Sequence, residues 1–373
     1  MIFFMIPGLD GLRAIAFLMI FGFHTGVIDF GWMGVQMFFV FSGFLITGIL
    51  LRMKANLPTW EYFKKFYIRR FFRIFPLYYF YLLLIFIGAT WSLSVSYKPR
   101  VMRAVIDQIW YAILYLYNFY SASNSFNSSR MLDHLWSLSV EEQFYIIWPL
   151  LILLVNEKHL KKLFVAGIIA GPIFRFIIFI IYQTGEIASL RNYVWLPIYT
   201  LPFSHIDAFA FGAYISRFSI PNARKQLLYL SLTVPLIGFA TQFAANGSFE
   251  PLLTLGYQVT LPDAYQYIWA YSLLNYWFVV IIYCVVKENM FVRFLDWLPL
   301  QYLGRISYGL YIYHFPMIWL VSQIPGFSPS ERSVHPAVLI LSFIGTVIVA
   351  SLSYFILEKP FLKLKDRFAY ISS

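Results

Sequence analysis

The sequence has 373 residues and a formal net charge of +11, with 60% hydrophobic and only 12% charged residues. Soluble domains carry about 25% charged residues, so this composition and a mean hydropathy of +0.70 exclude one soluble domain with a single anchor. The basic residues lie in short runs between apolar segments, which is typical of cytoplasmic membrane loops and argues against a nucleic-acid partner.

Ten segments of the chain are apolar and long enough to cross a bilayer as helices, which takes about 20 residues each. The sequence therefore predicts an all-α, polytopic integral membrane protein with about ten transmembrane helices. It also predicts a single transmembrane domain over 1–373 with no appended soluble domain. The predicted spans are 9–27, 34–53, 76–92, 136–155, 163–182, 197–216, 227–244, 265–286, 305–324 and 334–357.

An eleventh apolar segment, 105–119, is short and begins with Asp107 and Gln108. The positive-inside rule decides its status, because cytoplasmic loops carry an excess of Lys and Arg. With the densest basic stretch, 52–73, in the cytoplasm, the three basic segments 158–162, 217–225 and 359–367 also fall inside only if 105–119 does not span. We therefore predict that 105–119 is interfacial or re-entrant.

This topology places both termini in the cytoplasm and the protein in the inner or plasma membrane. The loop 92–135 then lies mostly outside. Its basic residues include Lys98, Arg100 and Arg103, which run against the positive-inside rule and are the cost of this topology.

Ionisable side chains within the predicted spans are candidates for function, because they are costly in a bilayer. Arg13 and His24 lie near opposite ends of the first span, roughly 16 Å apart along a helix. Glu141 and Glu142 lie one turn inside the fourth span. Two adjacent carboxylates at this depth must face protein or water, so they are the strongest functional signal.

Several of these side chains also have a structural interpretation. His24 could simply close a helix end, and His314 could bond a neighbouring helix. For Arg175 and Asp207, in the fifth and sixth spans, we favour a structural ion pair over a catalytic role.

The basic stretch 60–73 alternates aromatic and basic residues and allows two interpretations. It could be an amphipathic helix on anionic lipid, which the lysines favour. It could equally be a phosphate site, because Arg69, Arg70 and Arg73 cluster on a helix at positions i, i+1 and i+4.

Taken together, the polar motifs resemble those of the membrane acyltransferase type 3 family. The resemblance covers nearly the whole chain, and HLWSLSVEEQFY is its most specific motif. At two positions the chain departs from the family pattern, with His205 where arginine is frequent and Gly309 where serine is common. The motifs are LDGLRAIA at 9–16 followed by His24, GVQMFFVFSGFLI at 34–46, RRFFRIFPLYY at 69–79, HLWSLSVEEQFY at 134–145, LGRISYGLY at 303–311 followed by His314 and Pro316, and EKPF at 358–361.

The resemblance implies an O-acyltransferase that moves an acetyl group from cytoplasmic acetyl-CoA to a hydroxyl of an envelope carbohydrate. The acceptor stays open among lipopolysaccharide O-antigen, capsule, exopolysaccharide, peptidoglycan and a lipid-linked sugar, and no metal is expected. Besides this acceptor, the expected partners are membrane lipids.

The resemblance and the topology together give a hypothesis for the site. His24 is the general base for the acceptor hydroxyl, Glu141 orients its imidazole, and Glu142 lies beside Glu141. The residues expected to hold the donor are Arg13, Arg69, Arg70 and Arg73. The expected substrate-binding residues are Asp10, His134, Trp136, Ser137, Asp207, Tyr308 and His314.

The alternative from another class is a proton-coupled transporter or flippase of a lipid-linked sugar. It would use the same His and Glu residues as a proton relay. The arginine cluster favours the acyltransferase, because a donor phosphate needs arginines and a proton relay does not.

Overall fold

The computed structural model describes residues 6–184, 195–248, 252–260, 266–327 and 336–368, and these residues form helices and no strand. Seven helices are long and apolar enough to cross a membrane, which confirms the prediction of an all-α, polytopic membrane protein. These seven are Asp29–Asn56, Thr59–Ser94, Leu135–Leu154, Glu157–Tyr182, Ala223–Asn246, Gln266–Glu288 and Pro336–Lys365.

The helices follow one another through short connections. Besides the α-helices there are 3₁₀ helices at Asp29–Trp32, Glu157–His159, Pro202–His205 and Leu252–Thr254, and a π-helix at Tyr354–Glu358. The α-helices are α1 Leu9–His24, α2 Met33–Asn56, α3 Thr59–Ser94, α4 Pro99–Ile113, α5 Tyr117–Ser121, α6 Leu135–Leu154, α7 Leu160–Thr184, α8 Trp195–Thr200, α9 Ile206–Arg217, α10 Ala223–Asn246, α11 Gln266–Glu288, α12 Val292–Leu295, α13 Leu298–Arg305, α14 Ser307–Ser322, α15 Pro336–Ser353 and α16 Lys359–Phe368.

Three of the ten predicted spans contain only shorter helices. Helices α1 and α14 have 16 residues each, and α9 has 12. A helix of 16 residues is about 24 Å long, less than the hydrocarbon thickness of a bilayer. The count of ten spans therefore stays a prediction.

The chain divides into two compact units, each assembled from two stretches. The first unit contains Met1–Gly48 and Val155–Ser307, and the second contains Ile49–Leu154 and Tyr308–Ser373. The single domain over 1–373 stays a prediction.

In the first unit, α2 and α9 approach each other at two glycines. A Cβ on Gly43 would overlap the backbone oxygen of Phe209, and one on Gly212 would overlap that of Val40. Helices in membranes associate largely by close backbone packing, which small residues permit. The two glycines therefore fix the distance between these helices.

In the second unit, two tyrosines of α3 form hydrogen bonds with the end of α4. The hydroxyls of Tyr78 and Tyr79 donate to the carbonyls of Ala112 and Ile113, at 2.8 and 3.1 Å. These carbonyls lie in the last turn of α4, where a helix runs out of N–H donors of its own, and that of Ala112 also accepts from the amide of Tyr115 at 3.0 Å. The two tyrosines therefore tie the end of α4 to α3.

Helix α3 differs from its prediction, because it begins at Thr59 and not near residue 76. Its 36 residues include the whole basic stretch 60–73, and Pro76 lies inside it without ending it. At about 54 Å it is longer than the bilayer core, so part of it extends beyond the lipid tails. Helix α4 has 15 residues and is not one of the seven candidate spans, and the interpretation of 105–119 stays a prediction.

We expect Gly43→Ala and Gly212→Ala to destabilise the protein by about 1–3 kcal/mol, because the added methyl group forces α2 and α9 apart. The midpoint of thermal unfolding in detergent at a fixed scan rate measures this. Gly88→Ala is the matched control, since Gly88 lies in α3 and a methyl group added there would meet no atom within 4 Å. An equal midpoint for all three variants would contradict the packing argument.

Candidate active site

Helix α1 carries three of the predicted site residues in the first unit. The guanidinium of Arg13 contacts the carboxylate of Asp10 at 3.4 Å, and about a quarter of each side chain is exposed. His24 is the last residue of α1, with its ring 5.4 Å from that of Phe23. Since Arg13 and His24 lie on one continuous helix, their predicted separation along it holds.

Arg175 and Asp207 form the predicted ion pair, between α7 and α9 of the first unit. Both side chains are fully buried, with the guanidinium on the two carboxylate oxygens at 3.1 and 2.9 Å. The hydroxyl of Ser272 in α11 donates to the same carboxylate at 2.6 Å, and Arg175 also donates to the carbonyls of Ser204 and Ile268. Three helices are thus tied together by one buried network.

His205 occupies the position where the chain departs from the expected arginine. Its Nε2 donates to the carbonyl of Tyr199 at 2.9 Å, and its Nδ1 lies 3.1 Å from the side-chain amide nitrogen of Gln36. Both ring nitrogens of this buried imidazole are therefore hydrogen-bonded. His205 joins α2 to the 3₁₀ helix Pro202–His205 that precedes α9, which is a structural role.

The second unit brings predicted donor and catalytic residues together on α3 and α6. The guanidinium of Arg70 lies over the ring of Tyr145, 5.7 Å from its centre. The hydroxyl of Tyr145 donates to Glu141 at 3.3 Å, one helical turn away. Arg70 is within electrostatic range of both Glu141 and Glu142, so cation and carboxylates form one cluster.

Buried polar atoms without partners distinguish this cluster from the ion pair of the first unit. Among the described residues, the Nε of Arg70, the Oε1 of Glu142 and the Oε1 of Glu358 have no hydrogen-bond partner. Glu358 ends the π-helix, and Arg73 lies within its electrostatic range. Unpaired buried polar atoms cost free energy, and π-turns occur often at functional sites.

The remaining predicted substrate residues link α6 to α14. The Nε2 of His134 donates to the carbonyl of Ile312 at 3.0 Å, and the hydroxyls of Ser137 and Tyr311 lie 2.6 Å apart. The ring of His134 is 5.5 Å from that of His314. Burial and this second histidine lower the pKa of His134 well below its ordinary value, so it is neutral at pH 7.

Two other predicted residues have less specific surroundings. Trp136 is buried in the first turn of α6. The hydroxyl of Tyr308 donates to the carbonyl of Ile74 in α3 at 3.0 Å, and Tyr308 lies within electrostatic range of both Glu142 and Glu358.

Sequence reasoning missed Tyr145 and Glu358 as members of this cluster. Tyr145 was detectable, because it lies four residues after Glu141 and such residues share a helix face. Glu358 was recognised only as part of a motif, since no local pattern shows that α15 passes into a π-turn facing α3.

The sequence comparisons agree with the motifs. The acyltransferase domain family matches residues 6–355, and the chain belongs to this family. YrhL of Bacillus subtilis is 30% identical over 95% of the chain, and the peptidoglycan O-acetyltransferase OatA of Listeria monocytogenes is 29% identical over 96%. The O-acetyltransferase OatA of Staphylococcus aureus is 28% identical over 96%. The chain spans 54 to 57% of the length of these relatives, and no solved structure matches it significantly.

We expect Asp207→Asn to lower the free energy of unfolding by about 3–5 kcal/mol, because it leaves Arg175 buried without a countercharge. The thermal midpoint in detergent measures this. Glu61→Gln is the control, because its ion pair with Lys64 is largely exposed and worth about 0–1 kcal/mol. An unchanged midpoint for Asp207→Asn with lost activity would instead support the predicted substrate-binding role.

Proposed function

We propose that the protein transfers the acetyl group of acetyl-CoA to a hydroxyl of an envelope carbohydrate. Membership of the acyltransferase domain family supports the reaction class. The relatives named as peptidoglycan O-acetyltransferases support an envelope glycan as acceptor. Peptidoglycan is accordingly the first acceptor to test, before O-antigen, exopolysaccharide or a lipid-linked sugar.

The observation that carries this proposal is the cluster of Arg70, Tyr145, Glu141 and Glu142. A proton relay requires the carboxylates but no guanidinium beside them. A donor with phosphate groups does require one, because arginine binds phosphate through charge-assisted hydrogen bonds. Arg70 and Arg73 lie within electrostatic range of each other on α3 and are the groups proposed to bind the donor.

In the proposed reaction, the acceptor hydroxyl attacks the thioester carbonyl of acetyl-CoA. The new carbon–oxygen bond forms, the carbon–sulfur bond breaks, and the departing thiolate leaves as the thiol of coenzyme A. His24 takes the hydroxyl proton as general base and returns it to the thiolate. Glu141, hydrogen-bonded to Tyr145, is the second catalytic group of the proposal.

Replacing the base should abolish most transfer. We expect His24→Ala and Glu141→Gln each to lower the transfer rate by about 10²–10⁴-fold, the usual contribution of a general acid–base group. The measurement is transfer of label from acetyl-CoA to peptidoglycan fragments by membranes containing the protein. Glu61→Gln serves as a control for expression and folding. Wild-type rates for both folded variants would remove these residues from the mechanism.

Donor binding can be measured without turnover. Coenzyme A should raise the thermal midpoint of the purified protein, since a ligand that binds only the folded state stabilises it. Arg70→Gln and Arg73→Gln should reduce this shift, whereas Lys64→Gln, an exposed cation of the same helix, should leave it unchanged. No shift with the wild type would favour the transporter alternative, and equal losses in all three variants would indicate lipid binding.

A further inference from the structure

A polar cleft of about 450 Å³ opens in the second unit, away from the arginines of the donor site. It lies between the start of α4, the connection from α5 to α6 and the end of α14. The lining residues that could contact a ligand through polar or aromatic groups are Arg100, Asn127, Ser128, Arg130, Trp319 and Gln323.

The cleft lining carries positive charge and no acidic residue. Arg100 and Arg130 are exposed, and neither has an ion-pair partner among the described residues. The nearby carboxylate is Asp133, which lies outside the lining and within electrostatic range of Arg130. Its oxygens already accept from Tyr117 and from the Ser129 amide, at 2.9 and 2.7 Å, and from Ser128. The guanidinium groups thus remain available to an anion.

Trp319 supplies an aromatic face beside these charges. Its ring is partly exposed, and the ammonium of Lys98 lies 5.6 Å from its centre. The same lysine donates to the side-chain oxygen of Gln323, whose amide nitrogen donates to the Trp319 carbonyl at 2.9 Å. An indole face surrounded by amide and hydroxyl groups suits a sugar ring, which has apolar C–H faces and polar edges.

The cleft and the donor arginines lie at opposite ends of α3. Twenty-one residues separate Arg73 from the end of this helix at Ser94, which is roughly 32 Å along its axis. With the arginines in the cytoplasm, the cleft faces outside. Lys98 and Arg100 are two of the basic residues that run against the positive-inside rule there. Binding an external anion gives them a function that outweighs that rule.

We propose that this cleft binds an anionic saccharide, with the sugar ring on Trp319 and its carboxylate or phosphate between Arg100 and Arg130. This inference rests on the proposed function, because it makes the cleft an outer subsite for the carbohydrate acceptor. It assigns the recognition of an acidic glycan to residues distant from the proposed donor arginines.

The test measures sugar binding to the full chain in detergent by ligand-observed NMR titration, with no acetyl donor present. The probes are N-acetylmuramic acid with its carboxylate, N-acetylglucosamine 1-phosphate and neutral N-acetylglucosamine. We expect Arg100→Gln and Arg130→Gln each to raise the Kd of the better-binding acidic probe about tenfold. The Kd of the neutral sugar should not change. Trp319→Ala should weaken all three, and Trp319→Phe should restore part of the loss.

The matched controls lie on the same helix as Arg100. Arg103 and Trp110 of α4 are exposed and do not line the cleft, so Arg103→Gln and Trp110→Ala should bind all probes as the wild type does. The proposal is overturned if Arg103→Gln matches Arg100→Gln, or if the neutral sugar binds as tightly as both acidic ones. It is also overturned if phosphatidylglycerol micelles displace the sugars, because the cleft would then be a lipid-headgroup site.

A second readout separates this inference from the proposed function. In the transfer assay, Arg100→Gln should raise the KM for the glycan about tenfold with kcat unchanged, whereas the KM for acetyl-CoA stays the same. Sugar binding without any transfer would support the cleft and refute the proposed reaction. Transfer with an unaltered glycan KM in Arg100→Gln would support the reaction and overturn the cleft.

Discussion

An ionised side chain inside a bilayer has no water to pair with, so its charge must be matched within the protein or by a ligand. The buried network of Arg175 and Asp207 meets this constraint completely. The guanidinium has two carboxylate oxygens, a hydroxyl and two carbonyls around it, and the carboxylate has a second donor in Ser272. Such a network leaves nothing for a ligand, and its role is to hold α7, α9 and α11 at a fixed separation.

The cluster on α3 and α6 meets the same constraint only in part. Glu142 and Glu358 are buried, yet each keeps an oxygen without a partner among the described residues. In soluble proteins a buried unpaired oxygen already costs about 1–3 kcal/mol, and the low dielectric of a membrane does not reduce that cost. Beside a buried guanidinium, such atoms are candidates for contact with a ligand. This contrast between two buried charge clusters separates structure from function better than burial alone does.

The sequence predicts local structure better than it predicts contacts between residues that are distant along the chain. Hydropathy located most of the helices, and Arg175 was paired with Asp207 because two lone opposite charges in neighbouring spans have few other partners. The start of α3 was missed, since a membrane helix accommodates an internal proline such as Pro76. Nothing in the sequence indicates that Trp319 lies beside Arg100, because about 220 residues separate them and neither belongs to a motif. Only the packing of α4 near the end of α14 joins them in one cleft.

Positive charges of the second unit lie near both ends of α3. The positive-inside rule accounts for the charges at only one of these ends. In the predicted topology Arg70 and Arg73 lie at the cytoplasmic end, where the membrane surface potential and the proposed donor both favour cations. In the same topology Lys98, Arg100, Arg103 and Arg130 lie outside, where the positive-inside rule disfavours them. Their position opposes membrane insertion, and Arg100 and Arg130 among them line the cleft. The anionic glycan that we propose for the cleft would offset this cost for those two residues, because each guanidinium then exchanges water for a charge-assisted hydrogen bond.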